Sequence, residues 1–524
     1  MASPAKITRR CLRCVYALLL ATASLSAPSE GAVDSSSSCQ ASDVLWLWSG
    51  VLSSHSITFK FGLRNGHSCS DRDFLLSAFP ALLDGEKPHS ALASCASVTV
   101  GGNADSTDVV DVMSCEFDDL PHPDRLYKYE LSTPRTGDIA RSGSFRTPAA
   151  EGSPFSYRMA FASCADENSD PRVFTDMASH DPLFFMHTGD LHYHNLAVNN
   201  ISLFRSAYDS IFASPSGKAM LEMQLPFAYM WDDHDYGPDN SDKTAPGRDV
   251  AVMAYREAVP HYPLAGEGPL SPVHQAFTIG RVRFILTDQR SARTPNLEPD
   301  VPSKTVLGRQ QKQWFKNELV RATQDPGIKL IIWCSTMPWH DDERKWGYFT
   351  HEQRELVNFI KGQGLNRWVP IIIVAGDAHM LAVDDGSHTP GNLTLLHAAA
   401  LGRPGSIKGG PYSHGAYPGT GQYGLLDLTD NGVEGDGGRV CAYFRGINIY
   451  KGQLVEFDSC HPERTPSNWT YYPPPIPVRR LQRYYKKHKA QMWLLAAAIV
   501  AVIAYSGVAF VRCLRRRSSP KKHD

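Results

Sequence analysis

The stretch His187-Thr188-Gly189-Asp190-Leu191-His192-Tyr193-His194 follows a short apolar run, Leu183 to Met186. A run of that length predicts a buried strand, so Asp190 is expected where the strand gives way to a loop at the carboxyl edge of a sheet. The glycine permits a sharp turn, and the Asp, Tyr and His side chains offer oxygen and nitrogen ligands within one loop. The stretch therefore predicts a metal site at a sheet edge.

Further apolar runs after residue 150 also end in polar, reactive residues. These are Tyr157–Ala162 before Ser163 and Cys164, Phe227–Trp231 before Asp232 to Asp235, Arg283–Leu286 before Asp288 and Arg290, Leu330–Trp333 before Ser335 and Thr336, and Pro370–Ala375 before Asp377 and His379. Apolar strands that alternate with helical patterns predict an α/β domain, which we place at residues 155–460. Buried polar groups at so many strand ends need partners, and a metal centre would supply them.

Residues 40–150 have a different pattern. Short alternating runs, such as Ile57–Leu63 and Leu126–Leu131, are separated by Gly, Asp, Asn and Pro. Alternation with turn residues at this spacing predicts a small antiparallel β-sandwich domain. No catalytic cluster is apparent in this part of the sequence.

Both ends of the chain indicate the secretory pathway. Residues 1–32 combine early basic residues, a short apolar segment and small residues, which is typical of a signal peptide, with a membrane anchor as the alternative. Residues 492–511 are uncharged and apolar and predict a single transmembrane helix that contacts membrane lipid. A Pro- and Tyr-rich basic stalk, residues 461–491, precedes it, and a basic cytosolic tail, residues 512–524, follows.

The tail ends in Lys521-Lys522-His523-Asp524, which resembles the dilysine retrieval signal of type I membrane proteins. We therefore expect a luminal protein of the endoplasmic reticulum membrane, with the plasma membrane as the alternative. A generic basic tail that binds anionic lipid is the other interpretation.

Cysteine usage and charge agree with a luminal chain that does not bind nucleic acid. Cys39, Cys69, Cys95 and Cys115 could form two disulfides, and Cys441 with Cys460 a third, as expected in an oxidising compartment. Possible glycan acceptors are Asn200, Asn392 and Asn468. The formal net charge of -1 argues against a nucleic-acid-binding module, and the oligomeric state is left open.

Taken together, the motifs resemble the calcineurin-like metallophosphoesterases, and within them the alkaline phosphatase D (PhoD) family. The N-terminal part is similar to that family's β-sandwich. The later part is similar to its catalytic domain through Phe161-Ala-Ser-Cys164, Gly189-Asp190-Leu-His-Tyr193, Trp231-Asp-Asp-His234, Thr287-Asp-Gln-Arg290, Leu307-Gly-Arg-Gln-Gln-Lys-Gln-Trp314 and Gly376-Asp-Ala-His379. The resemblance implies a four-layer αββα sandwich, with a binuclear metal site at the strand ends.

Carried over by position, the resemblance also implies roles for individual residues. Asp190 would bridge the two metals, and Asp232 and Asp235 would orient the ligands. The full set of implied metal ligands is Cys164, Asp190, Tyr193, Asp233, Asp377 and His379.

Two further residues have alternative interpretations. His234 is implied as general acid or leaving-group stabiliser, with a satisfied buried histidine as the alternative. Arg290 could bind phosphate, because a planar guanidinium matches two phosphate oxygens, or could form a salt bridge with a carboxylate such as Asp288.

The implied chemistry is hydrolysis of a phosphate ester by a membrane-anchored luminal phosphatase or phosphodiesterase. Thiolate and tyrosinate donors favour Fe(III) at one of the two metal positions. The family's pattern suggests calcium or another divalent cation at the second position. Two alternatives are weighed against it. A purple-acid-phosphatase-like enzyme shares Gly-Asp-x-x-Tyr but expects other residues at Cys164 and Asp377. A catalytically silent adhesion or receptor module would have lost the ligands.

Overall fold

The computed structural model describes residues 39–64, 69, 72–81, 90–98, 111–340, 342–432, 438–462 and 470–472, together with scattered residues between 491 and 505. The predicted signal peptide, most of the stalk, most of the transmembrane segment and the cytosolic tail lie outside these residues. Among the described residues, no helix is both long and apolar enough to cross a membrane.

The strands of the described chain alternate with helices after residue 150. They are β1 (Val44–Gly50), β2 (Ile57–Leu63), β3 (Leu75–Pro80), β4 (Ala91–Leu92), β5 (Ser94–Ser97), β6 (Asp111–Phe117), β7 (Leu126–Ser132), β8 (Ile139–Arg146), β9 (Tyr157–Ala162), β10 (Phe184–His187), β11 (Pro226–Tyr229), β12 (Gln275–Ile279), β13 (Val282–Leu286), β14 (Leu330–Ser335), β15 (Ile371–Ala375), β16 (Met380–Asp384), β17 (Thr394–Ala398), β18 (Ala416–Pro418), β19 (Gln422–Asp430), β20 (Val440–Asn448) and β21 (Gly452–Asp458).

The α-helices are α1 (Arg172–Ala178), α2 (Ile201–Ala213), α3 (Pro215–Glu222), α4 (Asp233–Tyr236), α5 (Arg248–Ala258), α6 (Gly308–Gln324), α7 (Thr350–Gly362) and α8 (Leu365–Trp368). Helix α6 shows why these segments are helical, because its buried residues recur at the spacing of a single helix face. They are Gln311, Phe315, Glu318, Leu319 and Ala322.

Two large sheets contain most of the described strands. One has ten strands in the order β21-β20-β19-β9-β10-β11-β1-β2-β6-β5, and the other has seven in the order β12-β13-β14-β15-β17-β16-β18. Strands β9, β10 and β11 are parallel, and so are β13, β14 and β15. Parallel neighbours end at the same edge of a sheet, so the polar residues that follow these strands gather there.

The central strands of the seven-stranded sheet are buried on both faces. In β14, Leu330 and Ile332 pack in the core shared with the ten-stranded sheet, whereas Ile331 and Trp333 pack with α6 and α7 residues. Helices α2 and α3 contact β1 on the other large sheet, and α1 contacts β19. This alternation is the expected period of a strand between two apolar layers, and it produces the predicted arrangement of helices outside two facing sheets.

The N-terminal strands do form a sandwich, but they do not form a separate domain. Phe59 of β2 packs against Tyr129 and Phe145 of the four-stranded sheet β4-β3-β7-β8. The strand β1, however, pairs in parallel with β11, so one layer of the sandwich is part of the ten-stranded sheet. The described residues from Cys39 onward accordingly group into one unit, which is not divided at the boundary expected near residue 150.

The cysteine pairing agrees with the grouping predicted from sequence. The disulfides are Cys39–Cys69, Cys95–Cys115 and Cys441–Cys460. Cys164 and Cys334 are free and buried. Of these two thiols, only Cys164 lies beside the residues of the predicted metal site.

Candidate metal centre

The ends of β9, β10 and β15 are followed by residues with a left-handed backbone. Cys164 has φ 61°, Asp190 has φ 57° and Asp377 has φ 65°. Non-glycine residues rarely adopt this conformation, and where they do the surrounding structure must hold them. All three are predicted metal ligands, and the sharp turn at each one aims a side chain across the shared edge of the sheets.

Asp190 lies between two groups of potential ligands. Its Oδ2 accepts a hydrogen bond from Tyr193 Oη at 3.0 Å and is 3.6 Å from Cys164 Sγ. Its Oδ1 accepts from the His234 amide at 3.2 Å and thus faces the start of α4. One carboxylate therefore has one oxygen on each side, which is the arrangement that a bridging ligand requires.

Asp235 holds the Asp190 loop in place. Its carboxylate accepts hydrogen bonds from the amides of Asp190 at 2.6 Å, Leu191 at 2.7 Å and Asp232 at 3.0 Å. A carboxylate saturated by backbone donors has little capacity left for a metal, so Asp235 orients the loop as predicted. A Cβ on Gly189 would come within 2.5 Å of the Asp232 Cβ, so this close approach requires glycine.

Arg290 joins the two aspartates that begin α4. Its Nε donates to Asp232 Oδ1 at 2.5 Å, and its terminal nitrogen donates to Asp233 Oδ1 at 3.1 Å. The side chain is 0% exposed, so the guanidinium has no face toward a substrate. The predicted phosphate-binding role is corrected on this ground: Arg290 forms the salt bridge that was its alternative, with Asp232 and Asp233 rather than Asp288.

Asp377 faces two lysines. Its Oδ1 accepts hydrogen bonds from Lys345 and, at 3.3 Å, from Lys408. Burial alone would raise the pKa of this carboxyl, but the two ammonium groups outweigh it and hold the pKa below its usual range. The other oxygen, Oδ2, is buried and has no hydrogen-bond partner.

His379 presents one ring nitrogen to the cluster. Its Nδ1 donates to the carbonyl of Pro404 at 2.7 Å, and because a carbonyl can only accept, Nε2 is left with a lone pair. That Nε2 is 3.4 Å from Tyr193 Oη. Histidines that bind metals commonly have their second nitrogen held by a backbone carbonyl in this way. Burial, together with Lys408, lowers the pKa of His379 to about 4, which keeps the ring neutral.

Excess negative charge perturbs the centre. Burial, followed by the neighbouring carboxylates, raises the pKa of Asp190 well above its usual range. Burial and the charge of Asp190 do the same to the Cys164 thiol and the Tyr193 hydroxyl. Burial raises the pKa of Asp235 to about 7. A bound cation reverses each of these effects, because it stabilises the deprotonated form of its ligands.

The residues present fit a pair of metal ions. Two groups of side chains each bring their possible ligand atoms within 4.8 Å of one another. One group is Asp190, Asp233 and His234, and the other is Asp232, Asp233 and Asp377. The buried Oδ2 atoms of Asp232 and Asp377 have no hydrogen-bond partner, and unpaired buried carboxylate oxygens are costly without a cation. Cys164 and Tyr193 contact Asp190 directly, and His379 reaches the cluster through Tyr193.

The predicted residues and the structure differ at several positions. Asp232, predicted only to orient other ligands, has a free oxygen inside the cluster. Lys345 and Lys408 contact Asp377, and Asn195 contacts His234, but no motif marks their roles. Lys345 follows β14 in a loop without any recognisable pattern, so it could not be found from the sequence. His340, which follows β14, packs against Tyr412.

The open side of the centre carries His234 and basic residues. The His234 ring packs against Tyr193 with 4.1 Å between ring centroids. The Arg403 guanidinium lies 4.2 Å from the centroid of the Tyr193 ring and pairs with Asp166. Arg344 lies 3.8 Å from Asp239, which is itself 3.8 Å from His234. The acidic floor is thus bordered by groups that attract an anion.

Comparison with known proteins confirms the predicted family. A family model for PhoD-like phosphatases matches residues 159–395. Alkaline phosphatase D of Bacillus subtilis (strain 168) is 24% identical over 306 residues, which cover 49% of this chain and 51% of the relative. The chain therefore spans about half the length of that relative.

A solved structure of PhoD shares the fold. Its TM-score to this chain is 0.56 at 17% identity, and the match covers 78% of this chain and 91% of the solved one. The matched family segment contains every residue of the metal cluster described above, from Cys164 to His379. Residues 159–395 of this chain therefore match the PhoD-like phosphatases, a family of phosphoric ester hydrolases.

Proposed function

We propose that this chain is a metal-dependent phosphoesterase that hydrolyses phosphate esters at the carboxyl edge of its two sheets. The observation that carries the proposal is the convergence of Asp190, Asp233 and Asp377 with two buried carboxylate oxygens that lack hydrogen-bond partners. Structural ion pairs satisfy both oxygens of their carboxylates, whereas this cluster leaves acceptors directed at one another. Such an arrangement suits cations rather than packing.

Cys164, Tyr193 and His379 would hold one cation on the Oδ2 side of Asp190. Asp233 and Asp377, with Asp232, would hold the second on the other side. Anionic sulfur and phenolate donors suit Fe(III), and a set of carboxylates suits calcium or another hard divalent cation. When bound, the two ions neutralise the phosphate oxygens and so lower the barrier to attack on phosphorus.

The protein's own groups would bind and orient the substrate. Arg344, Arg403 and Lys408 border the opening and supply positive charge toward the phosphate ester. His234, at the same opening, would transfer a proton at Nε2 to the leaving oxygen. Arg290 would hold the carboxylates of Asp232 and Asp233 in place through its hydrogen bonds to one oxygen of each.

The test is hydrolysis of p-nitrophenyl phosphate and bis(p-nitrophenyl) phosphate by the purified full chain, before and after chelation. We expect turnover of at least one ester, its loss on metal removal, and its return when iron and calcium are restored. The ratio of the two rates identifies the ester class. Turnover that survives complete metal removal would contradict the proposal.

We further propose that the chain is a single-pass type I membrane protein whose catalytic part faces the lumen of the endoplasmic reticulum. Its three disulfides support an oxidising compartment. Asn200, in an Asn-x-Ser sequence, is exposed at the start of α2 and accessible to a glycosyltransferase.

The test is translation of the full chain with microsomes. We expect the chain to be protected from added protease. We also expect a glycosidase-sensitive increase in mass, which Asn200→Gln should reduce. Full digestion by the protease would contradict the topology.

A further inference from the structure

Asn195 lies in the loop between β10 and α2, and hydrogen bonds hold its side-chain amide at both ends. Its Nδ2 donates to the backbone carbonyl of Tyr193 at 2.7 Å. Because a carbonyl can only accept, the amide nitrogen must face the Tyr193 carbonyl, which leaves Oδ1 to accept a hydrogen bond from another group. The residue has φ 54°, a left-handed conformation that asparagine tolerates better than most residues. The loop thus presents a carbonyl-type acceptor in a single direction.

That acceptor meets His234. The distance from Asn195 Oδ1 to His234 Nδ1 is 2.6 Å. Since an amide oxygen cannot donate, the hydrogen of this bond must lie on Nδ1. Nε2 is then the nitrogen that remains for a reacting group, and the nearest acid to it is Asp239 Oδ1 at 3.8 Å. Stacking of the ring on Tyr193 restricts its rotation from a second side.

The two contacts connect His234 to the metal centre through one loop. Tyr193 is hydrogen-bonded to Asp190 and supports the His234 ring, and the Tyr193 carbonyl holds the amide that binds His234. A displacement of this loop would therefore move the imidazole and the predicted ligands together. The same contacts restrain the orientation of the imidazole.

We propose that Asn195 is a positioning residue for phosphate-ester hydrolysis, which directs Nε2 of His234 at the leaving oxygen. The inference rests on the proposed function. In the step concerned, the oxygen of water bonds to phosphorus, the ester P–O bond breaks, and the proton on Nε2 passes to the leaving oxygen. The hydrogen on Nδ1 stays in its bond to Asn195, and the attacking water supplies the proton that restores Nε2.

The experiment is a double-mutant cycle in the full chain with Asn195→Ala, His234→Ala and the combined variant. The substrates are a p-nitrophenyl ester and an alkyl phosphate ester, whose poor leaving group depends more on a proton donor. We expect Asn195→Ala to lower kcat for the alkyl ester by about 100-fold, with a smaller loss for the p-nitrophenyl ester and KM changed little. In the His234→Ala background, Asn195→Ala should have no additional effect.

Two controls separate positioning from stability. Asn195→Asp keeps an oxygen acceptor for Nδ1 and should recover much of the turnover that Asn195→Ala loses. Asn392 is also left-handed, at φ 59°, and donates its amide to the carbonyl of Gly386, but it lies on the loop between β16 and β17. Asn392→Ala should leave kcat unchanged. Metal content should equal that of the wild type in every variant.

An equal loss of kcat from Asn195→Ala in the wild-type and His234→Ala backgrounds would overturn the inference. So would an Asn195→Ala variant that hydrolyses the alkyl ester within about twofold of the wild-type rate, because a displaced reactive group should cost far more. Either result leaves the proposed function standing, because the wild-type chain is active in both. A wild-type chain that hydrolyses neither ester would instead overturn the proposed function and this inference together.

Discussion

At the scale of single residues, the metal centre depends on backbone conformations that the sequence does not reveal. Cys164, Asp190 and Asp377 are left-handed although none is glycine. The motifs identified these side chains as ligands by their positions after apolar runs, but could not show how they turn toward a common point. Side-chain partners from distant segments, such as Lys345 on Asp377, could not be predicted from the sequence either. They depend on which loops the fold brings together.

Cys164 and Cys334, the two free cysteines among the described residues, offer a matched test at this scale. Both are buried at strand ends, but Cys164 contacts Asp190 and Ser163, whereas Cys334 lies in the core between the sheets. We expect Cys164→Ser to reduce bound metal and to lower turnover by at least about 100-fold, because a hydroxyl is a much poorer anionic donor than a thiolate. Elemental analysis and ester hydrolysis measure both effects.

Cys334→Ser is the control. It places a hydroxyl in an apolar layer and should reduce the free energy of unfolding by about 2 kcal/mol without changing the metal content of the folded protein. Equal metal loss in both variants would show that Cys164 acts through packing and is not a ligand.

At the scale of secondary-structure elements, apolar runs predicted the strands well. The predicted strand Tyr157–Ala162 agrees with β9, and the runs ending before Asp190 and Asp377 agree with β10 and β15 within a residue or two. Such runs are distinct because both faces of each strand are buried. The joining of β1 to β11 could not be predicted in this way, because strand pairing depends on which distant segments meet rather than on local periodicity.

The turn after β10 gives a prediction for this scale. Gly189 has φ 100° and a Cβ there would meet Asp232 at 2.5 Å, whereas Gly137 has φ 76° and open space around it. We expect Gly189→Ala to lower the free energy of unfolding by about 3 kcal/mol, from backbone strain plus overlap, and to displace Asp232 from the centre. Chemical denaturation and turnover provide the measurements.

Gly137→Ala measures the cost of backbone strain alone, because no atom beyond its chain neighbours lies within 4 Å of the added Cβ. Its expected effect is about 1 kcal/mol, with turnover unchanged. Should the two variants lose the same stability and Gly189→Ala retain full activity, the close approach of Gly189 to Asp232 would have no bearing on the site.

At the scale of the whole molecule, the N-terminal strands are part of the catalytic sheet. Trp48 of β1 packs against Phe212 of α2 and Phe227 of β11, so the first strand lies inside the core rather than on its surface. The Trp48 indole also donates to the carbonyl of Ala258 at 2.9 Å. The alternating, turn-rich pattern of residues 40–150 predicts a separate domain, because local sequence does not show that two segments share one sheet.

A chain that begins at residue 151 should therefore not fold. Removing the first strands would expose the β11 edge and the apolar face under α2, which favours aggregation. We expect the truncated chain to be insoluble, and the longer chain to unfold in one cooperative transition when tryptophan fluorescence and enzymatic activity are followed together. A soluble, active chain from residue 151 would contradict this account.

The most direct test of the central claim compares wild type with Asp190→Asn and Asp325→Asn, measuring bound metal and ester hydrolysis on the same samples. Asp190 has one oxygen toward each predicted metal position, whereas Asp325 caps the end of α6 before β14, away from the carboxyl edge. We predict about two metal ions per chain in the wild type and in Asp325→Asn, and loss of both metal and turnover in Asp190→Asn. Wild-type metal content and turnover in Asp190→Asn would contradict a metal centre built around this residue.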